Sequence, residues 1–163
     1  MRALDTGALL AWPLVDLIGC LCVPGQVAEV MKHSPERAML IQSQGPRFLS
    51  PSTAAIEQAR ASAIETGDLS GLAAVDLEIL ALAIEHGAEL VTDDYRLQNV
   101  CTNFDHPWTG IIQDGIEDSW TWTLECRGCR RQHPALETKR KGDYGNCPEC
   151  GAELRLKRIQ NSN

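Results

Sequence analysis

Residues 72–94, LAAVDLEILALAIEHGAELVTDD, predict a buried helix that leads directly into a strand. Positions 72–84 are apolar on nearly every side of a helix, which is typical of a helix enclosed by the protein. Gly87 ends this helix, and residues 89–92 have the composition of a short strand. Asp76 interrupts the apolar helix, and two further aspartates follow the strand. This order indicates a layered α/β fold with carboxylates near the joints between its elements.

Shorter segments on both sides of residues 72–94 continue the alternation of strands and helices. Strands are predicted at residues 2–5, 21–23, 48–49 and 110–112, and helices at residues 6–17, 24–31, 51–66 and 95–104. Residues 33–46 contain two prolines and a glycine and are predicted to be an irregular connection. The alternation predicts a mainly parallel sheet. Residues 113–118 are interpreted as a linker, which divides the chain into domains at 1–116 and 117–163.

Charge is distributed unevenly along the 163 residues, 44% of which are hydrophobic. Up to residue 118 there are 6 Lys and Arg against 17 Asp and Glu, whereas the rest of the chain has 9 against 5. An acidic body and a basic tail indicate two modules, of which the second is suited to a polyanion. No segment approaches the apolar run of about 20 residues that a membrane span needs, and no signal-peptide pattern opens the chain. We therefore expect a cytoplasmic protein without a membrane partner.

Four of the seven cysteines form two CxxC pairs, which is the pattern of a zinc ribbon. The pairs are Cys126-Arg-Gly-Cys129 and Cys147-Pro-Glu-Cys150. Each CxxC turn aims two thiolates at one ion, and four thiolates complete a tetrahedral Zn²⁺ site. We predict one structural zinc ion, because four protein ligands leave no open position for chemistry. The alternatives are two redox dithiols, or iron in place of zinc.

The cysteine segment also carries a high density of cations and aromatic rings. Its candidate RNA-binding residues are Arg127, Arg130, Arg131, Lys139, Arg140 and Lys141, and Trp120, Trp122 and Tyr144 are interleaved with the cations. Cations that neutralise phosphates and flat rings that stack on bases suit single-stranded nucleic acid. The alternative is a solvated basic face with tryptophans packed inside the ribbon.

Four carboxylates in the acidic body fall where a parallel α/β fold places its ligands. Asp5 ends one predicted strand and Asp94 follows another, Glu29 lies in the helix after Pro24, and Asp76 lies at the start of the apolar helix. The carboxyl ends of parallel strands face the ligand crevice, and buried carboxylates need a compensating cation. Because the body has few Lys and Arg residues, Mg²⁺ or Mn²⁺ is a simple counter-charge, and such an ion can activate water against a phosphate. Each carboxylate by itself also has an ordinary interpretation as a cap, a turn residue or a surface residue.

Several short motifs occur in the order found in PIN nuclease domains. They are Leu4-Asp5-Thr6, Val23-Pro24 with Val27-Ala28-Glu29, Thr66-Gly67-Asp68-Leu69-Ser70, and Leu90-Val91-Thr92-Asp93-Asp94-Tyr95 with Leu97-Gln98-Asn99-Val100. The last block, joined to a four-cysteine ribbon, resembles the Nob-type endonucleases, in their compact archaeal form, that mature the 3′ end of small-subunit ribosomal RNA. The resemblance covers nearly the whole chain outside residues 33–45.

The resemblance implies a three-layer α/β/α PIN fold with a small C-terminal zinc ribbon and an acidic pocket that holds Mg²⁺ or Mn²⁺. The implied catalytic residues are Asp5, Glu29, Asp76 and Asp94, and the implied ligands of the ion are Asp5, Asp76 and Asp94. Thr6 and Thr92 are implied to orient a ligand or water. Asp94 is preferred to Asp93 because it stands two residues after Thr92, as in the Thr-x-Asp pattern of the family. Gly7 stands where a serine is common after Asp-Thr.

These expectations combine into a metal-dependent endoribonuclease of single-stranded RNA that leaves 5′-phosphate and 3′-hydroxyl ends. Its implied partners are the pre-rRNA of the small ribosomal subunit, the assembling subunit and an RNA-binding assembly factor. Two alternatives stay open: a toxin-type PIN ribonuclease that acts on another RNA, and a non-catalytic RNA-binding assembly factor. The ribbon disfavours the toxin type, because such toxins are usually bare PIN domains.

Overall fold

The computed structural model describes residues 1–111, 119–134 and 144–161, and these residues form two separate β-sheets and six α-helices. The strands of the larger sheet are β1 Arg2–Leu4, β2 Leu21–Cys22, β3 Arg47–Phe48, β4 Glu89–Val91 and β5 Trp108–Thr109. The helices are α1 Thr6–Ala11, α2 Gly25–His33, α3 Pro35–Gln44, α4 Thr53–Thr66, α5 Ala74–His86 and α6 Tyr95–Asn103. Short 3₁₀ helices occupy Leu14–Leu17 and Leu69–Gly71. None of the described helices is both long and apolar enough to cross a bilayer.

The larger sheet has the strand order β3-β2-β1-β4-β5, and each neighbouring pair is parallel. Strand β1 is therefore central, with Ala3 opposite Leu21 of β2 on one side and Leu4 opposite Val91 of β4 on the other. The chain builds outward from β1 to β3 and then returns to the other side of β1 with β4. This reversal leaves a crevice between the carboxyl ends of β1 and β4.

Successive residues of the central strands face two different helical layers, as the period of two in a strand requires. Ala3 and Leu90 belong to a core that includes α4, α5 and α6. Leu4 and Val91, the next residue in each strand, belong to a core that includes α1, α2 and α3. The expected three-layer α/β/α arrangement is therefore confirmed, and α5 is the buried helix that its uniformly apolar sequence predicts.

Helix α3 occupies most of residues 33–46, so the prediction of an irregular connection there was wrong. The Ser34 hydroxyl caps the helix by accepting the N–H of Arg37 at 3.3 Å. Pro35 stands at the first helical position, where no N–H is needed. Gly45 follows the last residue of the helix. The prolines and the glycine therefore mark the two ends of a helix instead of interrupting one.

Two other predicted boundaries differ from the structure. Helix α1 ends well before position 17, because Pro13 has no N–H to donate to the carbonyl of Leu9. Strand β5 lies just before the predicted residues 110–112, the last of which is outside the described residues. Most of the predicted linker, residues 113–118, also falls in the part that the structure does not describe.

The second sheet, here called the ribbon, contains the strands β6 Ser119–Cys126, β7 Gln132–Pro134 and β8 Leu154–Asn161. Strand β6 lies in the middle and pairs antiparallel with both of the others. Residues 1–111 are here called the body. The predicted domain boundary between residues 116 and 117 lies outside the described residues and stays a prediction.

A fully buried arginine on α3, Arg37, joins the ribbon to the body. Its Nε donates to the carbonyl oxygen of Leu9 at 2.5 Å, its Nη1 to that of Gly128 at 2.9 Å, and its Nη2 to that of Trp12. Since Pro13 supplies no N–H to Leu9, the guanidinium takes the place of the missing donor at the end of α1. Burial lowers the pKa of Arg37 to about 10, so the side chain is charged at neutral pH.

Backbone and apolar contacts surround this arginine and complete the junction. The Leu14 N–H donates to the carbonyl oxygen of Cys129 at 3.0 Å. Leu14 and Leu40 pack against the apolar cluster around the ribbon cysteines. The first CxxC turn of the ribbon therefore rests directly on α3 and the 3₁₀ helix after α1.

Candidate functional site

The crevice between β1 and β4 brings together acidic residues that are far apart in sequence. Asp5 immediately follows β1, and Thr92 immediately follows β4. The Asp5 N–H donates to the carbonyl oxygen of Val91 at 3.0 Å, which holds the two strand ends side by side. A site at this point is what the reversal of strand order in a parallel sheet predicts.

Asp5 is half-buried and is held by hydrogen bonds to both of its oxygens. Oδ1 accepts the N–H of Thr6 at 2.6 Å, and Oδ2 accepts the hydroxyl of Thr92 at 2.7 Å. Burial raises the pKa of Asp5 more than these two bonds lower it, and the negative charges of Asp94 and Glu29 raise it further. The hydrogen bonds therefore fix the orientation of Asp5, while burial and the neighbouring negative charges disfavour its ionised form.

Thr92 links Asp5 to Asp94 through one fully buried hydroxyl. The hydroxyl donates to Asp5, as above, and accepts the N–H of Asp94 at 3.0 Å. Asp94 in turn caps α6, because its Oδ1 accepts the N–H of Arg96 at 2.7 Å. The Thr-x-Asp spacing thus has a geometric reason, since the threonine positions the backbone that carries the aspartate.

Asp93, the neighbouring candidate, is engaged elsewhere. It is exposed, and its Oδ1 accepts the N–H of Ile111 at 2.7 Å, just beyond β5. Asp94, unlike Asp93, is among the charges that raise the pKa of Asp5. This difference supports Asp94 as the pocket residue.

A hydrogen bond connects Glu29 to the residues that follow β1: the Thr6 hydroxyl donates to Glu29 Oε2 at 2.7 Å. Gln26, one turn earlier in α2, is fully buried and fixes this helix against the strand ends. Its Oε1 accepts the N–H of Val23 at 2.9 Å, and its Nε2 donates to the carbonyl oxygen of Leu4 at 2.8 Å. Sequence reasoning missed Gln26, and its only signal was a polar side chain three positions before the candidate acid.

Asp76 joins the group from the first turn of α5, where it is half-buried. Its Oδ2 accepts the N–H of Ala73 at 2.7 Å and so satisfies a free donor at the helix start. Burial raises the pKa of Asp76, and the charges of Asp5, Asp94 and Glu29 raise it further. Asp76 is therefore within electrostatic range of the other three predicted carboxylates, and Asp5 is within range of Asp94 and Glu29.

The chemistry of this group fits a hard divalent ion, although the carboxylates do not form a closed cage. None of the ion pairs among the described residues includes any of the four, so the protein does not compensate their charge. Within the described part of the chain, only the cysteines place three or more ligand atoms within 4.8 Å of one another. The four carboxylates do not form such a group, so as positioned they do not bind one ion directly through three oxygens. Mg²⁺ commonly keeps several water ligands beside one or two carboxylates, and water would have to complete its coordination here.

The four predicted cysteine ligands do come together in the ribbon. The Sγ atoms of Cys126 and Cys150 are 3.3 Å apart, those of Cys129 and Cys147 are 3.8 Å apart, and all four lie within 4.8 Å of one another. A tetrahedron with metal–sulfur bonds of about 2.3 Å has edges of about 3.8 Å, so the cluster fits one such ion. His133 Nε2 lies 3.5 Å from Cys147 Sγ, at the distance of a donor that supports a thiolate ligand. The cluster is consistent with a zinc ribbon.

Two of the predicted RNA-binding cations lie on the surface of the ribbon. The Arg127 and Arg131 side chains are 58% and 57% exposed, and each makes an ion pair with an exposed glutamate, Glu153 and Glu149 respectively. Such exposed pairs contribute little free energy, so both cations can exchange partners. Lys139, Arg140 and Lys141 lie outside the described residues.

Arg130 has a different environment from the other predicted RNA-binding cations. Its side chain is only 11% exposed, and Nη1 pairs with the buried carboxylate of Glu125 at 3.1 Å. Arg155 and Lys157 also donate to Glu125. Arg130 therefore has a structural role in balancing a buried charge, and an additional contact with RNA stays a prediction.

Comparison with known proteins places these features in a family. A family model described as the PIN domain of ribonuclease matches residues 3–85. Endoribonuclease Nob1 of Archaeoglobus fulgidus is 32% identical over 144 residues, which cover 85% of this chain and 80% of that protein. Endoribonuclease Nob1 of Pyrococcus abyssi is also 32% identical, over 134 residues and 80% of each chain. Ribonuclease VapC1 of Thermoplasma acidophilum is 30% identical over 153 residues, which cover 93% of this chain and 75% of that protein.

The matched segment contains three of the four carboxylates. The parallel sheet between two layers of helices agrees with the resemblance seen in the sequence. PIN nucleases use divalent metal ions, which agrees with an uncompensated acidic crevice. The chain belongs to the PIN-domain family of ribonucleases.

Proposed function

We propose that this protein is a metal-dependent endoribonuclease whose substrate is the 3′ end of the small-subunit ribosomal RNA precursor. The observation that supports the proposal is the crevice at the ends of β1 and β4, around which four carboxylates interact electrostatically and none forms an ion pair with a described residue. Two of the relatives that share most of their length with this chain carry the name Nob1 endoribonuclease. The proposed catalytic residues are Asp5, Glu29, Asp76 and Asp94.

Asp5, Asp76 and Asp94 would hold Mg²⁺ or Mn²⁺ partly through water ligands, and the ion would supply charge neutralisation at the scissile phosphate and activation of a water molecule. The side chains around the ion have separate tasks. Thr92 holds Asp5 and the backbone of Asp94, and Thr6 orients Glu29. The proposed products are a 5′-phosphate and a 3′-hydroxyl end.

The ribbon is the proposed RNA-binding part, with one zinc ion in the cysteine cluster to maintain its structure. An acidic body repels a polyanion, so most of the cations needed for affinity have to come from the ribbon. Arg127 and Arg131 are exposed for this purpose. Lys139, Arg140 and Lys141 are proposed to act with them, whereas Arg130 holds Glu125. We further propose that the substrate is met on the assembling subunit in the cytoplasm, with an RNA-binding assembly factor as a partner.

A second candidate is a toxin-type ribonuclease that acts on another RNA. The match to VapC1 covers 153 residues and so extends over the segment that contains the four cysteines, which makes the ribbon a weak argument against this candidate. The sequence-based argument from bare PIN toxins is therefore weaker than expected. A non-catalytic assembly factor is the third possibility, and it differs from both enzymes in having no metal-dependent cleavage.

The test uses the full chain and three RNAs of equal length: the 3′ segment of a small-subunit precursor, a transfer RNA and an unstructured control. Cleavage is followed with Mn²⁺, with Mg²⁺ and with EDTA. The precursor segment should be cut at one position, in an ion-dependent reaction. Asp76→Asn keeps an oxygen to cap α5 but removes the charge, so it should reduce cleavage by about 100-fold or more while RNA binding persists.

The matched control is Asp93→Asn, which removes a neighbouring charge outside the pocket and should leave cleavage within a few-fold of the parent. Equal activity in Asp76→Asn would show that the site is wrongly assigned. Preferred cleavage of transfer RNA would favour the toxin-type enzyme, and binding without any cleavage would favour the assembly factor.

A further inference from the structure

The first two residues of α6 place an aromatic ring and a guanidinium beside the acidic crevice. Tyr95 directly follows Asp94 and is 85% exposed, more than any other large apolar or aromatic side chain of residues 1–111. Arg96 is also exposed, and its N–H is the donor that Asp94 accepts. Neither side chain is needed to fill the core, so their position calls for a different explanation.

The Arg96 side chain packs against the 3₁₀ helix Leu69–Gly71. A Cβ atom at Gly71 would lie 2.0 Å from Arg96 Nε and 2.6 Å from its Cδ and Cζ, so the side chain rests directly on the glycine backbone. The Asp68 carboxylate accepts Nδ2 of Asn99 at 2.7 Å, which ties this turn to α6. Arg96 makes no ion pair with another described residue. The Arg96 charge helps to lower the pKa of Asp68, so this carboxylate offsets part of that charge without forming an ion pair.

Cations are scarce in the body. Besides Arg96, two arginines of the body have side chains with described ion-pair or hydrogen-bond partners. Arg2 pairs with Glu89 at 3.1 Å, and Arg37 is buried between carbonyl groups. Arg96 lies two residues after Asp94 and is bonded to it through its N–H, at the edge of an acidic crevice that a phosphate enters more readily with a nearby positive charge. An exposed ring next to that cation matches the way single-stranded nucleic acid is held, by stacking on a base and by charge on the backbone.

We propose that Tyr95 and Arg96 form a subsite for one unpaired nucleotide next to the scissile phosphate. Tyr95 stacks on the base, and Arg96 contacts the phosphate of the same nucleotide. This inference rests on the proposed ribonuclease function and adds a reason for single-strand preference, because a base inside a duplex has no free face for the ring. Stacking is tolerant of base identity, so the subsite selects an unpaired base more than a particular sequence.

The experiment combines protein variants with abasic RNA. Wild type, Tyr95→Ala and Tyr95→Trp are compared on the precursor 3′ segment and on copies in which one nucleotide on either side of the cleaved bond lacks its base. Binding is measured with the same substitutions made in the Asp76→Asn background. Phe104→Ala, which removes an exposed ring at the other end of α6, is the matched control.

Tyr95→Ala should weaken binding and raise KM by roughly 5- to 100-fold, the range for loss of one stacked base, with a smaller change in kcat. Tyr95→Trp should restore binding, and Phe104→Ala should change little. The penalty of Tyr95→Ala should disappear on one of the abasic RNAs only. Arg96→Gln should weaken binding of every RNA and reduce the slope of log Kd against log salt by about one.

The outcomes separate this inference from the function on which it rests. If wild type cleaves the precursor and Tyr95→Ala cleaves it with the same KM, the subsite is refuted and the ribonuclease assignment stands. A Tyr95→Ala penalty of equal size on intact and abasic RNAs would show a structural role and also refute the subsite. If wild type cleaves none of the RNAs, both proposals fall together.

Discussion

Replacing the buried arginine at the junction of body and ribbon should destabilise the whole protein. In Arg37→Met, the carbonyl oxygens of Leu9, Trp12 and Gly128 lose their donor. Each lost bond to a charged donor is worth about 1.5–3 kcal/mol, and methionine recovers part of the sum because it avoids the desolvation of the guanidinium. The net loss should be about 3–5 kcal/mol, which is a large part of the 5–15 kcal/mol that typically stabilises a domain.

Urea and thermal unfolding measure this loss, and the midpoint temperature should fall by roughly 6–20 °C. Arg60→Met on α4 is the control, because Arg60 is exposed and makes no ion pair with a described residue. Arg37→Lys should recover only a small part of the stability, since one ammonium group does not reach three diverging carbonyls. A loss in Arg37→Met within about 1 kcal/mol of the control would refute the assigned role of these bonds.

Two other measurements test separate parts of the structure. Chelation of the zinc ion proposed for the ribbon, or Cys129→Ser, should lower the unfolding midpoint of the body as well as of the ribbon, because the Leu14 N–H bonds to the carbonyl oxygen of Cys129. An increase in hydrogen exchange that is confined to the ribbon would contradict this coupling. Burial lowers the pKa of His106, whose Nε2 lies 2.9 Å from the carbonyl oxygen of Ala88. The folded state therefore binds this proton less readily than the unfolded state, and stability should fall as the pH drops below about 6.5. Urea unfolding between pH 7 and pH 5 should show a smaller loss in His106→Gln than in the exposed control His33→Gln.

The body fold was largely predictable because its signals are local. An apolar helix that ends at a glycine and leads into a strand needs no distant information, and α5 and β4 lie close to their predicted positions. Helix α3 was missed because Pro35 and Gly45 were interpreted as breaks, whereas in the structure one begins the helix and the other follows its end. Such residues mark both the ends and the interruptions of helices, and only tertiary packing distinguishes the two cases.

The candidate site was predictable as a set of residue types but not as a geometry. Asp5 and Asp94 were chosen because they follow strands, and the strand order then places them at one crevice. The hydroxyl bridge of Thr92 and the buried amide of Gln26 depend on contacts between segments far apart in the chain. The same limit applies to Arg130, whose position near other cations predicted an exposed face, whereas Glu125 and the ribbon sheet enclose it.

The junction through Arg37 also limits how freely the two modules can be recombined. A body transplanted without its ribbon would leave Arg37 Nη1 without the Gly128 acceptor, and a ribbon grafted onto a body that lacks this arginine would leave the Gly128 carbonyl without its donor. Chimeras between this chain and ribbon-free relatives should therefore be designed with the donor and its acceptors as one inherited unit, and shuffling at the linker alone would separate them.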